Sequence, residues 1–302
     1  MQQSTSGTTV TLDPDSGLTA TELAERYGLA VSGARPKLLA YLRQLWSRRH
    51  FIWAYASARL ISTYTNARLG QIWQVLTPLA NAGVYLLVFG LLLGTSRGID
   101  NFIAYLCTGI FIFTYTQQTV TTAARSIGDN LNLIRAVHFP RATLPLTAVL
   151  VQLQQLGPSI AVLAVIMLVT GEGIDLSWLL VVPALILQTI FGTGLAMTVA
   201  RWAARTSDLS QLLPFVTRTW LYASGVFYSF DRLPADMPDW VVAVLQANPM
   251  AIYIDLVRYA MMDSMGGDPP AYLWPAAAGW AVVMGVVGFV YFWRAEEEYG
   301  RG

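Results

Sequence analysis

Residues 125–146 read RSIGDNLNLIRAVHFPRATLPL, and a long apolar run lies on either side of this polar stretch. Each run is long enough to cross a bilayer as a helix, which takes about 20 apolar residues. The stretch is therefore predicted to form a loop on one side of a membrane. Within it, apolar and polar residues recur with helical spacing, and Phe139-Pro140 ends the short amphipathic helix that this spacing predicts.

This loop has two interpretations. An amphipathic helix held between two membrane spans can dock onto a soluble partner protein. The same periodicity is typical of a helix that rests among lipid headgroups. Periodicity alone does not separate the two.

Composition places the whole chain in the membrane class. Of its 302 residues, 55% are apolar and 12% are charged, whereas a soluble domain carries roughly 25% charged residues. We therefore predict an all-α, polytopic membrane protein. The single cysteine, Cys107, lies in an apolar run, so no disulfide can form within the chain.

Six transmembrane helices are predicted, at about residues 73–93, 102–124, 144–170, 178–200, 212–230 and 272–293. Six spans place both termini on one side of the membrane. That side carries 16 of the 19 basic residues, whereas Arg97, Arg232 and Arg258 lie on the other. By the positive-inside rule, both termini are cytoplasmic and the protein is integral to the plasma (inner) membrane.

The other segments flank the predicted transmembrane domain, residues 73–294. Residues 1–34 lack the basic start and apolar core of a signal peptide, which predicts a cytosolic N-terminal extension. For about the first 15 residues, a disordered tail with a nascent helix is the alternative. Residues 35–72 predict a basic N-terminal amphipathic interface helix and a connector; a buried helix of a soluble domain is the alternative. Residues 295–302 are predicted to be a cytosolic tail.

Residues 231–271, between the fifth and sixth spans, hold two short apolar runs interrupted by prolines. Neither run is long enough to cross a bilayer. We predict a re-entrant helical segment that dips into the membrane and returns, shielded by protein. An external cap without a dip is the alternative.

The sequence contains no motif of a self-powered pump or of an enzyme. There is no G-x-x-x-x-G-K-[ST] motif, and Lys37 is the only lysine, so the chain cannot bind ATP through a P-loop. None of the six predicted spans contains Asp or Glu, which disfavours ion-coupled transport. No zinc motif or nucleophile elbow occurs, and His50 and His138 lie far apart, so we predict neither catalytic residues nor a metal site.

Two predicted spans carry candidates for the lining of a passage. Asn81, Tyr85 and Phe89 share one face of the first span, and Thr219 and Tyr222 lie on the fifth. Aromatic faces suit the C–H surfaces of sugars, and polar side chains rarely face lipid. For each aromatic residue alone, a position in the interfacial belt or facing lipid is the alternative.

Four blocks of sequence carry a resemblance to a known family. They are LGQIW (residues 69–73) before Thr77-Pro78; NLI (132–134) with Phe139-Pro140 and LPL (144–146); RTSDL (205–209) with SGVFY (224–228); and Asn248-Pro249 before Arg258. Over residues 35–293 their order and spacing resemble the membrane subunits of polysaccharide-exporting ABC transporters. These are the Wzm-like permeases of O-antigen, teichoic acid and mycobacterial lipid-linked galactan export, and the likeness favours the galactan exporter. Two features depart from the pattern: Thr206-Ser207 separates an arginine and an aspartate that usually adjoin, and the tail before Arg35 is long.

The resemblance implies that separate subunits form the pore and hydrolyse ATP. Two copies of the chain would form a homodimeric pore, and two copies of a separate P-loop ATPase would bind ATP and Mg, so this chain itself would hold no cofactor. The exported substrate would be a lipid-linked polysaccharide, an undecaprenyl-linked galactan. Membrane lipids are the other implied partners, and nucleic acid is not one.

The resemblance also implies roles for residues. The loop of residues 125–146 would couple the ATPase to the pore through Asn130, Asn132, Leu133, Ile134, Arg135, His138 and Phe139. The re-entrant segment would form the outer gate through Trp240, Val241, Leu245, Asn248 and Pro249.

Rival functions remain for the same topology. A permease of an ABC exporter for teichoic acid, O-antigen or a small drug-like lipid would share these spans. A membrane glycosyltransferase fits less well, because it would need acidic residues near its sugar nucleotide on the cytoplasmic side.

Overall fold

The computed structural model describes residues 19, 22–23, 26–28, 36–65, 68–88, 99–137, 139–206, 208–230 and 237–299. The regular structure of these residues is helical, which confirms the all-α prediction. In chain order their α-helices are α1 (Leu38–Ser47), α2 (Arg49–Thr65), α3 (Trp73–Tyr85), α4 (Phe102–Arg125), α5 (Leu131–Ala136), α6 (Thr143–Val169), α7 (Val181–Arg205), α8 (Asp208–Ala223), α9 (Asp239–Gln246), α10 (Pro249–Met261) and α11 (Leu273–Arg294).

Three stretches of helix are long and apolar enough to cross a membrane: Thr143–Val169, Leu176–Arg205 and Leu273–Arg294. The pair α9 and α10, bent by 68° at its break, makes a fourth if it is one span. These helices identify an integral membrane protein. The helix α4 is long enough at 24 residues, but its glutamines and threonines make it less apolar, and α3 and α8 have only 13 and 16 residues. For these three helices, the six-span topology stays a prediction.

The polar helix α4 is tolerated because it lies at the centre of the bundle, in contact with α6, α7, α8 and α10. On α7, Gln188 donates from Nε2 to the Ile112 carbonyl at 2.8 Å and to Thr116 Oγ1 at 2.9 Å. Gln117 of α4 donates to Thr217 Oγ1 on α8 at 2.9 Å. A polar group in hydrocarbon must find a partner within the protein, so these bonds fix α4 between its neighbours.

Helices α7 and α11 pack backbone to backbone at two glycines. A Cβ atom placed on Gly194 would lie 1.9 Å from the Met284 carbonyl oxygen, and one on Gly288 would lie 2.0 Å from the Gly194 carbonyl oxygen. No side chain fits in this contact. Small residues let membrane helices approach in this way, and van der Waals packing then holds the helices together without a hydrophobic driving force.

The two ends of the bundle are held by different polar networks. At one end, the cap end, Glu172 after α6 accepts at Oε1 from Asn101 Nδ2 at 2.7 Å and from Ser264 Oγ at 2.6 Å. At the other end, the tail end, Glu296 after α11 accepts at Oε2 from the Tyr41 hydroxyl of α1 at 2.7 Å. The tail end therefore contains both α1 and the residues after α11.

The first two helices run from the tail end along the outside of the bundle. In α1, Tyr41 and Leu45 are buried, whereas Leu39 and Trp46 are exposed. The helix α2 packs on α6, where Gln154 donates to Ser57 Oγ at 2.9 Å. A helix is present where the sequence predicted the amphipathic one, and its position on a membrane surface stays a prediction.

Candidate functional site

A cavity of about 270 Å³ opens between α3, α4 and α6, beside the end of α2. Its wall carries no charged side chain and is rich in amide and hydroxyl groups, which come from Tyr64, Gln74, Thr77, Asn81, Thr114, Tyr115, Gln118, Gln152, Gln155 and Ser159. Indole, phenyl and aliphatic groups fill the gaps between them, contributed by Trp73, Phe111 and Leu156 among others. Neutral donors and acceptors mixed with aromatic surface suit a hydroxylated, uncharged molecule such as a sugar.

Some of these polar groups are already paired. Gln155 Nε2 donates to the Tyr64 hydroxyl at 2.7 Å, and the hydroxyls of Tyr115 and Thr189 lie 2.9 Å apart. Within the described part of the chain, the side chain of Asn81 makes no hydrogen bond. The hydrogen-bonded side chains shape the wall of the cavity, and the amide of Asn81 remains available to a bound molecule.

The predicted channel residues do not share one surface within a single copy. Asn81 lines this cavity, whereas Thr219 and Tyr222 lie on the exposed face of α8, where the Tyr222 ring centroid is 5.4 Å from that of Phe227. The side chain of Tyr85 and all of Phe89 lie outside the described residues.

The glutamines that line the cavity were not predicted from the sequence. Gln118 on α4 and the pair Gln152 and Gln155 on α6 sit inside predicted spans, where they pass as polar interruptions of apolar runs. The signal was available, because residues 118, 152 and 155 are uncharged polar groups at positions where lipid contact is costly.

The loop of residues 125–146 contains the predicted short helix, α5, after a 3₁₀ turn over Gly128–Asn130. Its apolar side faces the tail end: Ile134 is buried, and Leu133 and Phe139 pack against the same cluster as Tyr41. Asn130 is held from both sides, since its Nδ2 donates to the Ser126 carbonyl at 2.8 Å and its Oδ1 accepts from the Tyr55 hydroxyl at 3.4 Å.

The opposite side of this loop is open. Leu131 is 37% exposed and Val137 is 48% exposed, and Asn132 and Arg135 are exposed beside them. His138 lies outside the described residues. The loop therefore has one side packed on the bundle and one exposed side, which both the docking interpretation and the headgroup interpretation require.

A buried carboxylate after α11 joins this loop to α1. Glu296 accepts from the Arg141 backbone N at 2.8 Å as well as from Tyr41, and the Arg141 guanidinium bonds the Glu296 carbonyl. Burial raises the pKa of the Glu296 carboxyl, although the hydrogen bonds from Arg141 and Tyr41 act in the opposite direction. Trp293 adds a bond from its indole N–H to the Pro36 carbonyl at 3.1 Å.

The predicted gate consists of two unlike halves. The helix α9 has no buried residue, and Trp240 is 70% exposed; Val241 and Leu245 are half-buried. The break at Asn248-Pro249 is fixed, because Asn248 Oδ1 accepts from Trp220 Nε1 at 2.9 Å and Nδ2 donates to the Ala223 carbonyl at 3.0 Å. Most residues of α10 are buried.

Arg258 anchors α10 from within the bundle rather than in an outer loop. It is fully buried, and Nη1 donates to Asp255 Oδ1 at 3.0 Å and to the Gly225 carbonyl at 3.0 Å. Its guanidinium carbon lies 3.3 Å from the centroid of the Tyr105 ring. These contacts join α10 to α4 and to the turn after α8.

The described residues contain no group of three or more His, Cys, Asp or Glu side chains that could hold a metal ion. The acidic side chains with strong partners, such as Glu172 and Glu296, are used at the two ends of the bundle.

Comparison with known proteins assigns the chain to a family. The model of the ABC-2 type transporter family matches residues 50–262, a range that includes the cavity, the 125–146 loop and the bent pair α9 and α10. Two O-antigen export system permease proteins RfbA from Klebsiella pneumoniae are 27% identical over 192 residues (63% of this chain, 72% of the relative) and 26% identical over 203 residues (67% and 76%). RfbA of Myxococcus xanthus is 22% identical over 213 residues (70% and 80%). The chain belongs to the ABC-2 type transporter family, as one of its membrane permeases.

Proposed function

We propose that this protein is the channel-forming subunit of an ABC transporter that exports a lipid-linked polysaccharide from the cytoplasm to the periplasm. The observation that carries the proposal is the uncharged cavity rich in amides and hydroxyls between α3, α4 and α6. A pocket for an apolar drug would be lined mainly by apolar side chains. The names of the relatives, which are O-antigen export permeases, support the same substrate class.

The proposal includes an arrangement in the membrane. We propose that α3, α4 and α8 also cross it, giving six spans with the tail end in the cytoplasm and α1 at the interface. Leu39 and Trp46, 80% and 71% exposed, would enter the lipid. Two copies would form the pore, and two copies of a P-loop ATPase would bind ATP and Mg and dock on the open side of α5.

The identity of the sugar is the most specific part of the proposal. We propose an undecaprenyl-linked galactan, on the strength of the four sequence blocks that resemble the galactan exporter. Depletion of the protein in its own host should cause the lipid-linked polymer to accumulate inside the cell, and sugar analysis of that polymer tests the assignment. Accumulation of a polymer without galactose would replace galactan by the sugar found.

The first test concerns energy supply. The purified chain alone is expected to hydrolyse no ATP, because it has no P-loop. Vesicles that contain the chain and its cognate ATPase should hydrolyse ATP and export the lipid-linked polymer. A Lys→Ala change in the P-loop of the ATPase is the matched control and should stop both. Vanadate-sensitive hydrolysis by the chain alone, or export with that control variant, would refute the proposal.

A second test concerns the outer gate. Apolar constrictions close a pore by excluding water, and Val241 and Leu245 are half-buried apolar side chains of α9. Replacing both with Ser should increase the leak of a small dye from vesicles that hold the ATPase without nucleotide. Replacing Val282 and Val283 with Ser, on the exposed side of α11, is the control and should leave the leak unchanged.

If the α9 variant stays folded and leaks no more than the wild type, α9 is an external cap. The gate would then lie among Tyr85, Phe89 and Tyr222, the aromatic residues predicted to line the channel.

A further inference from the structure

The exposed face of α8 carries a charge that the described structure does not neutralise. Arg218 is exposed, and the described residues offer it neither a hydrogen bond nor an ion pair. It follows Asp208, the first residue of α8, by ten positions. At 1.5 Å per residue it therefore lies about 15 Å along the helix, which is half of the ~30 Å thickness of a hydrocarbon core.

Contacts on the buried face of α8 show that the turn of helix that carries Arg218 packs against the interior of the bundle. The adjacent Thr217 accepts from Gln117 of α4. Two residues beyond Arg218, the ring of Trp220 meets that of Phe113 edge to face at 5.7 Å between centroids. Both partners lie in the interior of α4, well away from its ends.

Polar, aromatic and aliphatic side chains share the exposed face with Arg218, and the aliphatic ones are Leu212, Pro214 and Val216. Gln211, Phe215, Thr219 and Tyr222 follow one another at helical spacing, and Phe215 is 72% exposed. Leu213, Thr217 and Leu221 form the buried face. Within residues 273–293, α11 exposes valines and no polar side chain, whereas the exposed face of α8 carries Gln211, Arg218 and Thr219. This difference favours a more polar surrounding for the exposed face of α8 than for that of α11.

Neither lipid nor a dry contact with a second copy can cover Arg218. An arginine in the centre of a bilayer is costly unless it is paired or hydrated. A twofold contact through this face would place Arg218 of each copy against the same face of the other copy, and residues 209–223 of α8 contain no acidic residue to pair with it. No carboxylate is available to neutralise either Arg218, because Asp255 already pairs with Arg258 at 3.0 Å and the interiors of the described helices α3, α4, α6, α7, α8 and α11 contain none.

We infer that this face of α8 lines a water-filled passage, in which Arg218 binds an anionic group of the transported molecule, a phosphate or diphosphate. A guanidinium binds such oxygens through paired hydrogen bonds, and rings of arginine are the usual lining of pores that pass anions. The inference rests on the proposed function for the identity of the transported molecule. A polymer joined to its lipid through phosphate carries the required charge, whereas the cavity of amides and hydroxyls suits its neutral sugars.

Thiol labelling tests the passage without any need for transport. In a Cys107→Ala background, Thr219→Cys places a thiol beside Arg218, and Val286→Cys places one on the exposed face of α11 as a control. Anionic and cationic water-soluble methanethiosulfonates then react with the full protein in vesicles. Position 219 should react and position 286 should not. The anionic reagent should react about tenfold faster at 219, owing to the charge nearby.

Two further variants separate charge from shape. Arg218→Gln should remove the preference for the anionic reagent, and Arg218→Lys should keep it. An unreactive position 219 would show that the face is covered by lipid or protein, and would overturn the inference. Equal rates for both reagents with Arg218 present would do the same.

The source of the phosphate is tested by protection. Inorganic pyrophosphate and a prenyl diphosphate incorporated in the vesicles are each added before labelling. Slower labelling with the prenyl diphosphate alone assigns the site to a lipid-linked substrate, whereas protection by both assigns it to phosphate in general. Protection by neither would overturn the binding of phosphate. Because labelling requires neither ATPase nor polymer, failure of export in the earlier test leaves these results interpretable.

Discussion

Leucine in place of Gly288 is expected to prevent the bundle from assembling. The new Cβ would lie 2.0 Å from the Gly194 carbonyl oxygen and 2.5 Å from its carbonyl carbon. Both are backbone atoms of α7, so no side-chain rotation can relieve the clash. The two helices would have to separate, at a cost of about 3 kcal/mol or more. The yield of folded protein in detergent and its melting temperature should both fall sharply.

The same helix provides a matched control. Gly279, also in α11, has no atom within 4 Å of the position where a Cβ would be. Gly279→Leu changes the same residue type in the same helix, so it carries the same gain in helix propensity without the clash. It should leave the melting temperature unchanged or slightly raised. Equal melting temperatures for the two variants would show that the backbone contact between α7 and α11 is dispensable.

Charge reversal on the open side of α5 is expected to abolish ATP-driven export. Leu133 packs into the tail-end cluster, so its replacement would disturb the fold. Leu131 is 37% exposed, and Arg135 is exposed, which makes Leu131→Asp with Arg135→Glu the cleaner variant. Placing wrong charges in an interface costs several kcal/mol, enough to reduce ATPase binding, or stimulation of its activity, more than about tenfold.

The readouts for this variant are co-purification of the ATPase and polymer export from vesicles. Arg43→Glu on the exposed side of α1 is the control, since it reverses a charge at the same end of the bundle. Export should survive in the control and be lost in the α5 variant, with both proteins folded. Full export and ATPase binding in the α5 variant would assign α5 to the lipid headgroups instead.

The helical elements were predictable because their signals are local. The polar loop, its short helix and the break at Asn248-Pro249 each follow from spacing and from proline, and the structure has a helix or a break at each place. The sequence blocks also led to the family that the comparisons support. Which faces meet could not be predicted, because burial in a membrane bundle depends on neighbours far away in sequence. Gln117 of α4, for example, finds its partner inside the bundle because Thr217 Oγ1 on α8 lies 2.9 Å from its Nε2.

The two sites that sequence reasoning missed share one cause. Glutamines in spans were passed over as interruptions, and Arg218 was counted only as one of the basic residues on the cytoplasmic side. Each was visible as a polar residue inside an apolar run. Their meaning required the structure, which shows Gln118 and Gln155 at one cavity and Arg218 without a partner among the described residues. Arg258 illustrates the reverse case, since it is fully buried and bonded.

The bond between Tyr41 and Glu296 has a consequence for how the protein is made. The two residues are 255 positions apart, so a ribosome adding 5–20 residues per second needs about 10–50 s to travel from one to the other. Throughout that time α1 has been synthesised but its carboxylate partner has not. Docking of α1 is therefore a late step of biogenesis, which only a chain translated through Glu296 can complete. A product truncated before α11 would lack Phe292, Ala295 and Tyr299, which pack in the same cluster as Tyr41 and Leu45. The apolar surface left by this incomplete cluster would mark the product for the proteases of membrane quality control.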